Sequence, residues 1–217
     1  MERIRENIRA LQSLAGPLPA FLIDDAQDDP YELFLEWFQT AIDNGVHEPH
    51  SMTLSTIDPD GTPDARVLIL KDVDDKGWYF ASSSESNKGK QMETNPSVAL
   101  TFYWSLIGRQ VRIRGQAVPM GQELSAKDFL NRGIIARAIA LIGKQSAVLD
   151  DRYRFDEALK EQMNLLRDNP DIVSPSWTLY RVDASVVEFW QGNKDRKHVR
   201  LRYQRNGNRW NKELLWT

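Results

Sequence analysis

Between residues 51 and 83 the chain reads Ser51–Ile57 (SMTLSTI), Asp58-Pro59-Asp60-Gly61, residues 65–71 (ARVLILK), Asp74-Asp75-Lys76-Gly77 and residues 78–83 (WYFASS). Short β-branched and aromatic runs cut by Asp/Pro/Gly turns are the pattern of consecutive antiparallel strands. Working outward, Ser97–Trp104 and residues 109–118 continue the pattern, and residues 178–183, 186–190 and 199–205 close it. A set of about seven or eight such strands implies a closed or split barrel, which hides sheet edges that would otherwise pair with other chains.

Helical stretches flank and interrupt the strands. Asp29-Pro30 with Glu32 reads as a cap, a first-turn proline and a capping-box acid; Leu33, Phe34, Trp37, Phe38 and Ile42 form the apolar face that follows, and Gly45 ends it. At the amino terminus Ile4, Ile8, Leu11 and Leu14 recur at helical spacing up to Gly16-Pro17, a stripe expected to pack on the body. Further helices are expected near 86–94, 122–142 and 154–168. The reading is one mainly β domain over 1–217 with peripheral helices: an amino-terminal helix and lead-in over 1–24, and a barrel with inserted helices over 25–217.

Composition narrows the function. With 28 Lys+Arg against 31 Asp+Glu the chain is mildly acidic, and it contains no cysteine, which excludes disulfides, thiolate metal sites, iron–sulfur clusters and thiol nucleophiles. No apolar run approaches the roughly 20 residues of a membrane span, and the charged start Met1-Glu2-Arg3 lacks a signal-peptide core. A cytoplasmic protein without membrane partners is expected. His47-Glu48-Pro49-His50 reads as a polar loop, so no metal site is expected. Gly-rich dinucleotide loops, Walker motifs and nucleophile elbows are all missing.

The chemistry lies in cations placed on strands. Arg66 and Lys71 bracket the apolar run Val67, Leu68, Ile69 and Leu70, as on a buried strand whose ends reach a polar site, or as two solvated strand ends. The segment from Ser82 through Ser86-Asn87-Lys88-Gly89-Lys90 is a hydroxyl-rich turn entering a helix, suited to a phosphate or simply to a cap. Strand parity puts Gln110, Arg112, Arg114 and Gln116 opposite the apolar Val111 and Ile113. After Trp190, an extended Arg196-x-His198-x-Arg200 series would align three donors toward an anionic or electron-rich ligand. Five Lys/Arg and no acid between Arg196 and Arg205 leave a nucleic-acid platform as the alternative, disfavoured by the acidic net charge.

Taken in order, residues 66–71, Ser86-Asn87-Lys88-Gly89-Lys90-Gln91, Asn95-Pro96, Arg109-Gln110-Val111, Lys144-Gln145-Ser146 and Glu188-Phe189-Trp190-Gln191-Gly192 with Arg196-x-His198-x-Arg200 resemble the pyridoxamine 5′-phosphate oxidase family. The likeness runs from about Pro30 to Trp210. It implies a split β-barrel homodimer binding FMN, with hydride transfer from substrate to flavin N5 and reoxidation by O2. By motif position, cofactor contacts fall on Arg66, Val67, Leu68, Ile69, Leu70, Lys71, Ser82, Asn87, Lys88, Gln110, Gln145, Ser146, Trp190 and Arg200. Substrate contacts fall on Lys71, Arg132, Arg196 and His198, the last two covering the reacting ring. The chain departs from the family at Asp128 and Ala136, where a Tyr and a Ser of the substrate-phosphate cluster are expected around Arg132, and at Asn87, where an arginine is usual. The family's amino-terminal Arg/Tyr lid has no clear equivalent in residues 1–24. Residues 115–119 and 200–205 also resemble the phenazine-biosynthesis FMN oxidases, which act on larger aromatic acids. The implied function is oxidation of pyridoxamine or pyridoxine 5′-phosphate, with a phenazine-type FMN oxidase as the alternative and a flavin- or nucleic-acid-binding module without turnover behind both.

Overall fold

A computed structural model describes residues 2–16 and 18–217. Strands β1 (Ser51–Ile57), β2 (Pro63–Ile69), β3 (Asp72–Asp74), β4 (Gly77–Ser83), β5 (Ser97–Trp104), β6 (Arg109–Pro119), β7 (Trp177–Gln191), β8 (Val199–Asn206) and β9 (Arg209–Leu214) form one sheet. Its path is β2-β1-β5-β6-β7-β4-β3, with β8 on β7 and β9 on β8. Helices α1 (Glu2–Ala10), α2 (Pro30–Asp43), α3 (Asn87–Thr94), α4 (Gly121–Leu130), α5 (Ile134–Ile142) and α6 (Arg152–Asp168) complete the chain.

Turn chemistry sets the first hairpin. Asp58-Pro59-Asp60-Gly61 closes β1 on β2 with Ser51 opposite Ile69 and Ile57 opposite Pro63, and Gly61 takes the positive φ of 86° that the turn demands. The Asp74–Gly77 turn likewise joins β3 to β4, its Asp74 carboxylate accepting from the Lys76 and Gly77 amides. Asp29 caps α2 by accepting from the Tyr31 amide at 2.9 Å, and Leu33, Phe34 and Trp37 are buried as their spacing predicts, whereas Ile42 is exposed.

The backbone groups into two compact units: residues up to 49 with 101–113 and 186–217, and residues 50–100 with 114–185. In the first, Trp37 meets Phe189 edge-on at 5.1 Å, Phe34 meets Phe102 at 5.2 Å, and Phe189 meets Tyr203 at 5.7 Å. Burial raises the Tyr203 phenol above its ordinary range, and its hydroxyl donates to the Gln27 carbonyl at 2.6 Å. In the second, Phe80 stacks on Tyr180 at 5.4 Å above a core that includes Met52, Leu54 and Phe129.

Several expectations are corrected. The amino-terminal helix ends at Ala10, and its Ile4 and Ile8 are exposed rather than packed on the chain. The helix expected over 122–142 is two, because Gly133, at φ −60° and ψ 148°, is non-helical just before α5. Strands 178–183 and 186–190 are one, β7, since Ala184 is buried within the sheet and Ser185 bonds the Arg114 carbonyl. β3 and β9 were not foreseen: the first is three residues long and the second is largely polar.

β2 is not a buried strand. It ends the sheet path, pairs with β1 alone among the described residues, and leaves Val67 66% and Ile69 38% exposed. The Arg196-x-His198-x-Arg200 series is not extended throughout. Arg196 sits in a turn at φ 61°, and the strand begins only at Val199. The three side chains therefore do not share one strand face.

Candidate functional site

Two groups of the residues singled out from the sequence are gathered locally. The first surrounds α3. Ser86 caps this helix, accepting from the Gly89 amide at 3.3 Å and donating to the Ser83 carbonyl at 2.7 Å. Gly89 is required there: a methyl group on its α-carbon would collide with the Ser84 carbonyl and come within 2.5 Å of the Ser83 carbonyl. The turn thus brings its backbone against the helix start, where free N–H groups and the dipole favour an anion.

Lys88 is carried inward by that helix and is only 6% exposed. Its ammonium donates to the Ser86 hydroxyl at 3.3 Å, and no carboxylate forms an ion pair with it among the described residues. Burial lowers its pKa first, and the Arg66 charge lowers it further against a smaller opposing pull from Asp64. A buried ammonium of this kind is a poor structural residue and a good anion ligand.

Arg66 reaches the same neighbourhood from β2. Its guanidinium donates to Thr56 Oγ1 at 2.5 Å, to Gln91 Oε1 at 3.2 Å, and to the Asp64 carboxylate. Gln91, buried on α3, donates in turn to Asp58 and Asp64. Ser82, buried on β4, makes no side-chain hydrogen bond among the described residues, so its hydroxyl is unspent. Asn87 is exposed at the helix start.

The second group lies around the β7–β8 turn. Trp190 and Arg200 face each other across these strands, and the Trp190 and His198 rings lie 4.9 Å apart. The Asn193 amide donates to His198 Nδ1 at 3.0 Å, so Nε2 carries the proton in the neutral ring and remains the side chain's donor. Trp190, His198 and Arg196 line a cavity of about 790 Å³ together with Tyr103, Lys194 and residues 11–16. Arg200 is engaged elsewhere: it grips Glu188 at 2.9 and 3.0 Å and donates to the Trp216 carbonyl at 3.0 Å. Arg112 completes that cluster, 2.6 Å from the same carboxylate. Burial raises the Glu188 pKa, and the hydrogen bonds and charges of Arg112 and Arg200 outweigh it, holding the acid below its ordinary value.

The remaining positions are dispersed. Gln110 is half-buried on β6 without a side-chain hydrogen bond among the described residues, while Gln145 and Ser146 are exposed beyond α5, Ser146 at φ 73°. Lys71 pairs with Asp128 at 3.3 Å, and Trp177 Nε1 donates to the same carboxylate at 2.8 Å. Arg132 stacks over the Trp177 ring at 3.8 Å, its buried Nη1 without a hydrogen-bond partner among the described residues. Ala136 is half-buried on α5. His47, Glu48 and His50 form no metal cluster, and no group of three or more metal-ligating side chains exists among the described residues.

Sequence reasoning missed Arg109. It is buried 4.3 Å above the Trp37 ring, donates to Gln191 Oε1 at 2.8 Å and to the Ala20 carbonyl at 3.3 Å, and burial holds its pKa down to about 10. Its place on the core-facing parity of β6, beside Val111 and Ile113, was the available signal.

No helix among the described residues is long and apolar enough to cross a membrane. Residues 38–162 match the family model described as pyridoxamine 5′-phosphate oxidase, and residues 177–217 match the pyridoxine 5′-phosphate oxidase C-terminal dimerisation region. The chain is 42% identical to a pyridoxine/pyridoxamine 5′-phosphate oxidase of Salinibacter ruber over 184 residues, covering 84% of this chain and 86% of that one. It is 38% identical to the corresponding protein of Granulibacter bethesdensis over 197 residues, covering 88% and 92%. Among solved structures it resembles PhzG of Burkholderia lata in complex with tetrahydrophenazine-1-carboxylic acid, with a TM-score of 0.86, 30% identity and coverage of 93% and 100%. An FMN-binding, pyridoxamine 5′-phosphate oxidase-related protein of Nostoc punctiforme shares the fold, at a TM-score of 0.69, 17% identity and coverage of 88% and 100%. The mainly β sheet with peripheral helices is therefore the split barrel expected from the strand pattern, and the chain belongs to the pyridoxamine 5′-phosphate oxidase family of FMN-dependent oxidoreductases.

Proposed function

We propose that the chain is a homodimeric FMN-dependent oxidase converting pyridoxamine or pyridoxine 5′-phosphate to pyridoxal 5′-phosphate, with O2 as acceptor. The observation that carries this reading is Lys88, buried beside Arg66 with a serine hydroxyl but no carboxylate at its ammonium. Such a pair fits a phosphate monoester, which Arg66 can grip through two N–H groups and Lys88 can neutralise as a point charge. The unspent Ser82 hydroxyl and the closely approaching backbone at Gly89 fit the same anion.

FMN, when bound, supplies the two-electron acceptor for the hydride leaving the substrate C4′, and O2 takes the electrons on as H2O2. The chain's own residues provide position and field. Arg66, Lys88, Ser82 and Asn87 hold the cofactor phosphate end, with Val67, Leu68, Ile69, Leu70, Lys71, Gln110, Gln145, Ser146, Trp190 and Arg200 assigned to the rest of the cofactor by motif. Arg196 and His198 orient the substrate ring in the cavity beside Trp190, His198 through its Nε2 donor, and Lys71 and Arg132 are assigned to the substrate by motif. The match of residues 177–217 to a dimerisation region supports the homodimer.

One observation favours a second reading, an oxidase of the phenazine-biosynthesis type. Asp128 places a negative charge against Lys71 where a substrate phosphate would be held. At about 4 Å and an effective dielectric near 20, a carboxylate repels each phosphate charge by on the order of 4 kcal/mol. Anaerobic mixing with pyridoxamine 5′-phosphate separates the two. Bleaching of the flavin band is expected; a yellow protein that stays yellow leaves the second reading, and a colourless one that takes up no FMN removes both.

A further inference from the structure

The cavity beside Trp190 has one wall made by residues 11–16, and the seating of that wall is unusual. Leu14 adopts φ 56°, a left-handed backbone that favours glycine and that a leucine keeps only when its surroundings hold it. Those surroundings are two bare α-carbons. A methyl group on Gly192 would come within 2.7 Å of Leu14 Cδ2, and one on Gly108 within 3.2 Å of the same atom. The two glycines are themselves tied together, the Gly192 amide donating to the Gly108 carbonyl at 2.7 Å.

Beneath them Gln191 Nε2 donates to the carbonyls of Gly108 at 3.3 Å and Gly192 at 3.2 Å, and its Oε1 accepts from Arg109, whose other arm reaches the Ala20 carbonyl. A buried polar network therefore fixes the notch into which Leu14 fits, and also holds the chain that follows it. Meanwhile α1, which precedes the wall, buries nothing. The attachment at Leu14 is what sets the position of Gln12 and Ser13 in the cavity.

We propose that Leu14 is a positioning residue of this pocket: seated on Gly108 and Gly192, it fixes residues 11–16 as the wall facing Trp190, Arg196 and His198, and thereby sets affinity for an aromatic anion. This rests on reading that cavity as the substrate site. Leu14 has no part in holding the cofactor, so its loss changes substrate binding and not flavin content.

The experiment uses the FMN-loaded protein with two aromatic anions as probes, pyridoxal 5′-phosphate and phenazine-1-carboxylate, measured by equilibrium dialysis. Tryptic cleavage after Arg9 is followed in parallel as a direct report on the segment. In the unaltered protein a saturating probe is expected to slow that cleavage several-fold. Leu14→Ala and Gly192→Ala are each expected to weaken binding about tenfold and abolish the protection, with flavin content unchanged in Leu14→Ala, and Leu14→Met is expected to keep both binding and protection. Should Gly192→Ala fold poorly, Leu14→Ala and its methionine rescue carry the test alone. Wild-type affinity and protection in Leu14→Ala would overturn the proposal. Arg196→Ala distinguishes the two levels: weaker binding there with an unaffected Leu14→Ala refutes only the role of Leu14. An unaffected Arg196→Ala, or no binding of either probe to the unaltered protein, refutes the substrate site itself.

Discussion

The carboxylate of Asp128 lies 3.3 Å from the Lys71 ammonium. That pairing joins α4 to the segment after β2 and assigns to a neighbouring acid a lysine that the motif reserves for ligand. Trp177 secures it, donating its indole N–H to the same carboxylate at 2.8 Å, and Arg132 covers the indole face.

Asp128→Asn is expected to keep the Trp177 hydrogen bond and release Lys71. Removing one negative charge from the vicinity of a phosphate should tighten pyridoxamine 5′-phosphate binding by on the order of tenfold after solvent screening. Titrating the FMN-loaded protein with that substrate under anaerobic conditions measures this; unchanged affinity places the phosphate elsewhere.

Arg66→Ala and Lys88→Met should each lower FMN retention, because each removes a charge-assisted contact of about 1.5–3 kcal/mol, or roughly ten- to a hundredfold in dissociation constant. Flavin fluorescence in the flow-through of a desalting column reads the loss. Arg196→Ala should keep the cofactor and slow flavin reduction by substrate. The reverse pattern would exchange the proposed roles.

Burial and the Arg66 charge depress the Lys88 pKa below the ordinary lysine value of 10.5. Only the charged form neutralises a phosphate, so FMN affinity is full below the depressed value and falls as pH rises through it. An alkaline loss of FMN binding is expected in the unaltered protein and absent from Lys88→Met, as followed by fluorescence titration across the alkaline range.

Glu188 has the opposite sign. Arg112 and Arg200 hold its folded pKa below the ordinary 4.5 despite burial. Its stabilisation is complete above that value and is lost as pH falls through the depressed one. Glu188→Gln should cost about 1–3 kcal/mol at neutral pH, since both arginines are partly exposed, and should flatten the acid limb of the stability curve. Urea midpoints at neutral and acid pH test both points.

Gly89→Ala forces a methyl group against the Ser83 and Ser84 carbonyls. Overpacking of this kind costs about 1–3 kcal/mol, or roughly 2–12 °C in Tm for a chain of this size. Calorimetry gives the shift, and the same variant should lose FMN by displacing the helix start.

What the sequence determined by itself was local and periodic. The turns at Asp58–Gly61 and Asp74–Gly77, the cap at Asp29, the serine cap leading to Lys88, and the parity that buries Val111 and Ile113 while exposing Arg112 and Arg114 all depend on neighbours within a few residues. Their physical causes, turn dihedrals, cap hydrogen bonds and the two-residue pleat, are written in adjacent positions. Only the tertiary structure decided that Arg109 lies over Trp37, that Lys71 belongs to Asp128, that Arg196 leaves the strand line of Arg200, and that Leu14 rests on two glycines about a hundred residues or more away along the chain. Each of these follows from which distant side chains share the same few ångströms once the sheet is assembled, and neither spacing nor composition encodes that.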